Sequence, residues 1–140
     1  MRKTLLSLAM ALLPFPALAD DPLGRTWELL AVDGVVVDYA ATLKIEADGA
    51  VSGKAPCNSW GSRNSATLPA LALGPIRATR MACDRLAEEQ AFFTALGQMQ
   101  EVKLIGGRNL VLTGADGQSM EYVIDRMNSL TRCATCPPKK

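Results

Sequence analysis

The chain contains no histidine. That absence removes Ser-His-Asp and Cys-His catalysis and every histidine-based metal site. It has no long basic run, and 15 basic residues stand against 14 acidic ones. Nucleic acid is therefore not an expected partner. No apolar run is long enough to cross about 30 Å of hydrocarbon, which argues against a membrane-spanning chain. No cysteine stands near the candidate cleavage point described below, so lipid anchoring is not expected either. No glycine stretch has the spacing of a phosphate-binding loop.

What is present begins with an export signal over 1–19. Arg2 and Lys3 form a basic start, 5–13 is a short apolar run, and Ala17-Leu18-Ala19 fits the small-x-small cleavage pattern. The mature chain is expected to begin at Asp20 and to reside in the periplasm or be secreted. Loss of Arg2 and Lys3 leaves 13 basic residues against 14 acidic, a net charge of about −1. A chain of about 120 residues suits one core. The pattern predicts a single domain over 20–125 and a flexible tail over 126–140.

Strand signals dominate the domain. A first strand is expected over 25–32, with Trp27, Leu29 and Ala31 on one face and Leu30 and Val32 blurring the alternation. Asp33-Gly34 marks a turn, and Val35-Val36-Val37 is extended. Over 42–47 the alternation is clean, with Leu43, Ile45 and Ala47 facing inward. Asp48-Gly49 predicts a hairpin into a strand over 50–54, with Val51 inward and Gly53 permitting a bulge or a close backbone approach. Pro56, Cys57 and Asn58 lead into a loop containing Trp60 and Gly61. An apolar stretch over 66–73 is interrupted by Pro69, which suits an edge or bulged strand.

A helix is expected over 85–98, capped by Asp84 and carrying Glu88 and Glu89 at its positive end. Leu86, Gln90, Phe93 and Leu96, joined by Phe92 and Met99, predict its buried face. Two further hairpins follow, with turns at Gly106-Gly107 and Asp116-Gly117. Leu110 and Leu112 share a face, and Met120, Tyr122 and Ile124 alternate. Repeated hairpins around one helix predict a mainly β protein. The expected form is a compact antiparallel β-barrel-like or β-roll domain, because curling would protect the sheet edges.

Several segments, taken in order, resemble the META/HslJ family of small bacterial envelope domains. They are Gly24-x-x-Trp27-x-Leu29, Val51-Ser52-Gly53 with Cys57-Asn58, and Thr79-Arg80-Met81-Ala82-Cys83. Glu89, Phe92-Phe93 and Ala95-Leu96 resemble the helix that follows, and Leu110-x-Leu112 before Asp116-Gly117 the closing hairpin. Two positions depart from that pattern. Pro56 stands where the family usually has glycine, and Trp60 where it often has tyrosine or another aromatic. The resemblance implies a β-barrel-like or β-roll fold with a packed helix, an envelope location and an association with stress or drug tolerance. It implies no general enzymatic activity.

Four cysteines in an exported chain favour disulfides. Cys57 with Cys83 and Cys133 with Cys136 is the expected pairing; a crossed pairing would strap the tail onto the domain. The Cys133-x-x-Cys136 spacing also suits thiol exchange or a soft metal ion. Ser52, Ser59, Ser62 and Ser65 lie near Lys54 and Arg63, but nearby serines and lysines in a loop more often cap or face water. No catalytic residue, metal ligand or cofactor is assigned. The expected function is non-catalytic binding of a protein, a peptide or an envelope component, with Asn58, Trp60, Arg63 and Arg80 as candidate recognition residues. Trp60 reads somewhat more readily as core than as a recognition residue. A small-ligand site inside a barrel-like sheet is the alternative.

Overall fold

The computed structural model describes residues 21–127 and 129. The signal region over 1–19, and Cys133 and Cys136, lie outside the described residues. Among the described residues the named elements follow in the order β1 (Thr26–Val32), β2 (Val35–Val36), β3 (Thr42–Ile45), β4 (Ala50–Lys54), β5 (Ser59–Arg63), β6 (Arg77–Ala78), α1 (Leu86–Gly97), β7 (Met99–Ile105), β8 (Asn109–Gly114) and β9 (Ser119–Val123). All pairings are antiparallel, and the sheet runs β6-β5-β4-β3-β1-β9-β8-β7, with β2 beside β1.

The turns form where the sequence places them. Asp33 and Gly34 both take positive φ, 50° and 75°, which is the backbone of a tight type I′ hairpin. The blurred alternation of β1 also has a cause. A register shift against β9 falls between Leu29 and Ala31. Trp27 and Leu29 enter the main core, whereas Leu30 and Ala31 turn to a second small cluster with Val123. Val123 is buried in that second cluster, whereas Ile124, predicted to point inward, lies past the end of the strand over Ser119–Val123 and is 43% exposed.

The expected barrel or roll is not formed. The sheet is open, and among the described residues no strand pairing joins its two ends, β6 and β7. The segment that could close it, 64–76, makes only the isolated bridges Asn64·Leu73 and Ala70·Glu101. Pro69 offers no N–H, and Gly74-Pro75 breaks the run again, so no continuous ladder can grow there. A second correction concerns 59–63. Serine and glycine there predict a loop, yet all five residues pair with β4. Side-chain packing outweighs intrinsic preference, because pairing in this register buries Trp60.

The interior is filled by large side chains. Trp27, Leu29, Leu43, Ile45, Phe92, Leu96, Leu110, Leu112, Met120 and Tyr122 are each at most 1% exposed. This argues against a ligand chamber inside the sheet. Two buried polar atoms among the described residues have no hydrogen-bond partner, Trp60 Nε1 and the Tyr122 hydroxyl. Burial, with a smaller contribution from Tyr39, pushes the Tyr122 phenol well above the ordinary value of 10.0. The neutral phenol is therefore favoured in the folded chain. Its stabilising effect is complete below pH about 10 and is lost as pH rises toward the higher folded value. Tyr122→Phe is expected to match or exceed the parent by up to about 1 kcal/mol at pH 7. It should also flatten the fall in stability above pH 10, as read by urea unfolding at both pH values.

Candidate functional site

The residues that punctuate the centre of the sequence meet at one end of α1. The Cys57–Cys83 disulfide forms, with Cα atoms 5.9 Å apart. It ties the entry of β5 to the approach to α1. Beside it, Asn58 is 4% exposed and uses both ends of its amide. Its Oδ1 accepts from the Thr79 hydroxyl at 2.8 Å and from the Met81 N–H at 2.7 Å. Its Nδ2 donates to the Met81 carbonyl at 3.3 Å and to Glu89 Oε1 at 2.6 Å.

Glu89 completes the cluster from the helix. Its other oxygen, Oε2, accepts the N–H groups of Cys57 at 2.9 Å and Asn58 at 2.8 Å. A carboxylate that is 6% exposed thus caps a turn 31 residues away along the chain. Burying such a group is costly unless hydrogen bonds replace water, and three do so here. We call this arrangement a clasp.

The clasp explains why α1 differs from its predicted form. The helix starts at Leu86, one residue later than predicted, and Arg85 rather than Asp84 holds the N-cap position, without a side-chain cap. Its buried residues are Glu89, Phe92 and Leu96, while Leu86 is 49% exposed. Arg85 is instead drawn to Asp38 at 3.0 Å. That guanidinium holds the Asp38 carboxyl below its ordinary value, and Asp38 raises Arg85 in turn.

Gly53 is fitted to the same region. A Cβ there would overlap the Thr42 carbonyl and come within 3.0 Å of Trp60 Nε1. The close backbone approach allowed by the sequence is the one observed. Trp60 itself is 4% exposed, with its ring edge-on to Phe92 and Phe93 at 6.1 and 6.4 Å. Pro56 is accommodated in a turn in which the Ala55 N–H reaches the Asn58 carbonyl at 2.7 Å.

The four candidate recognition residues therefore divide. Asn58 and Trp60 lie inside, whereas Arg63 and Arg80 are exposed. Arg63 donates to the Asp48 carbonyl at 2.7 Å and lies 3.7 Å from its carboxylate. Of the serines near a lysine, Ser59 accepts from Lys54 Nζ at 2.7 Å. That pair sits on the exposed side of the hairpin, with nothing to desolvate the ammonium group. Among the described residues, no group of three or more Cys, Asp or Glu side chains could hold a metal ion. Glu89 is the participant the sequence reading missed. Its spacing of three to Phe92 and seven to Leu96 places it on the buried stripe, which was the available signal.

An open antiparallel sheet, one helix and a polar clasp between them define a small β-rich domain in which the motif residues hold elements together. The chain belongs to the META domain family, whose model matches residues 19–126. An NMR structure of a protein from Burkholderia xenovorans aligns with a TM-score of 0.59 at 21% identity, covering 89% of this chain and 99% of that one. The crystal structure of a DUF4847 family protein from Bacteroides vulgatus aligns at 0.58 and 11% identity, covering 79% and 99%. At these identities the likeness is one of fold. No curated protein matches the chain. No helix among the described residues is long and apolar enough to cross a membrane.

Proposed function

We propose that the chain is a non-catalytic envelope protein, exported through its 1–19 signal, that works by binding a protein or peptide. The observation that carries this reading is the saturation of the clasp. Asn58, Glu89 and the two cysteines are the described residues most suited to chemistry, and each is consumed by a bond to another part of the chain. Nucleophilic catalysis needs a group left available beside a base. A packed interior favours surface recognition over a ligand chamber. The exposed candidates are Arg63 and Arg80, and arginine is suited to directional contacts at interfaces.

The test is cross-linked capture in cell envelopes. Arg63→Ser and Arg80→Ser, confirmed as folded by circular dichroism, are expected to lose a cross-linked product that the parent chain forms. Fractionation should place that product in the periplasm or medium, with the mature chain beginning at Asp20. Identical products from the parent and both variants would overturn the assignment of these arginines. Retention of uncleaved chain in the cytoplasm would overturn the location.

A further inference from the structure

We propose that the free edge of β6 accepts an added strand from an acidic, extended peptide. The inference rests on the binding role above and names the form of the partner.

The backbone supplies the first argument. The sheet ends at β6, which pairs with β5 on one side only. The Thr79 N–H reaches the Ser59 carbonyl at 3.0 Å, and the Met81 N–H is turned to Asn58. In an antiparallel ladder, residues alternate between facing the partner strand and facing away. The N–H and C=O of Ala78, opposite Trp60, therefore point away from β5, and those of Arg80 follow by the same alternation. Both residues of β6 are exposed, and so is every side chain from Thr79 to Asp84. Unpaired outward groups on an edge are the template for strand addition.

Charge selects the occupant. Arg77 and Arg80 flank Ala78, both are exposed, and neither forms an ion pair among the described residues. A second copy meeting edge to edge would set arginines against arginines. An acidic strand would instead meet them with complementary charge. Apolar contact is available as well. Trp60, opposite Ala78, packs on Phe93, and Phe93 with Leu86, Gln90 and Thr94 lines a groove of about 490 Å³. Met81, 64% exposed, stands farther along the same segment. Alternation puts Arg77 on the face opposite Ala78 and Trp60, and Arg80 on the face of Ala78, so an alternating peptide can present carboxylates to Arg77 on one face and small apolar side chains beside Ala78 on the other.

The test uses the mature chain and an alternating valine–glutamate decapeptide, with a valine–lysine decapeptide as its control. Binding is read by amide chemical-shift changes. The acidic probe is expected to shift the 77–81 amides, and the double variant Arg77→Glu, Arg80→Glu should weaken it at least tenfold. Two N-methylated probes separate strand pairing from simple charge attraction. Methylation of the alternate amides that face β6 should abolish binding, whereas methylation of the other set should leave it within about twofold. Equal binding of both methylated probes would overturn strand addition. Equal binding of parent and double variant would overturn the assignment to this edge, as would a parent chain found dimeric through β6 by sedimentation and cross-linking. Should envelope capture still depend on Arg63 while the peptide fails to bind, the β6 inference falls and the binding role stands.

Discussion

Asn58→Ala is expected to lower the unfolding free energy by about 3–5 kcal/mol, the range found when one partner of a buried polar network is removed. The loss comes from what remains behind. Met81 loses the acceptor for its N–H, Thr79 loses its hydroxyl acceptor, and Glu89 Oε1 keeps no donor. Water cannot readily replace them, because the site is 4% exposed at Asn58 and 6% at Glu89. Equilibrium urea unfolding checks the figure. A complementary variant, Glu89→Gln, tests the other half. One end of a glutamine amide can donate but cannot accept, so at least one N–H of the turn or the Asn58 amide loses its partner. A loss below 1 kcal/mol in Asn58→Ala would show that the clasp is solvated in solution.

Replacing both Cys57 and Cys83 by alanine is the second large effect, expected to cost about 3.5 kcal/mol. The two are 26 residues apart, and closing a loop of that size restricts the unfolded chain by roughly that amount. This loss has a different origin from that of Asn58→Ala. The disulfide acts chiefly on the unfolded ensemble, the amide on the folded state. In the cysteine-free background, Asn58→Ala should therefore retain most of its own effect, and a double-mutant cycle measures the remainder. A large coupling would mean that the bridge is needed to hold Asn58 against Glu89. Reduction of the parent chain by a dithiol should reproduce the double-alanine midpoint.

Much of this architecture was legible because turn chemistry is local. Asp33-Gly34, Asp48-Gly49, Gly106-Gly107 and Asp116-Gly117 each carry a glycine at positive φ. Each marks a hairpin without reference to the rest of the chain. β4 could be read to the residue, and Val51 was legible as buried. The strand β5 was not, because Ser-Trp-Gly-Ser-Arg has no alternation, and only pairing with β4 makes it extended. Sheet closure was equally hidden. It depends on whether 64–76 can pair continuously, which is a question about two strands at once. At the clasp, Cys57 and Cys83 could be paired from sequence. The role of Glu89 required knowing which face of the helix meets the turn. An acidic residue near a helix start has an ordinary explanation in the helix dipole, and that explanation concealed the structural one.

The buried carboxylate bears on the helix in another way. Apolar side chains define the azimuth of α1 only loosely, since Leu86 lies outside while Phe92 and Leu96 lie inside. Oily contacts tolerate some rolling about the axis; directional hydrogen bonds do not. Turning α1 by one residue, about 100°, would swing Glu89 away from Cys57 and Asn58 and strand their N–H groups. The clasp therefore acts as an angular key. It admits one rotational setting of the helix against the sheet, and with it one arrangement of the groove lined by Phe93.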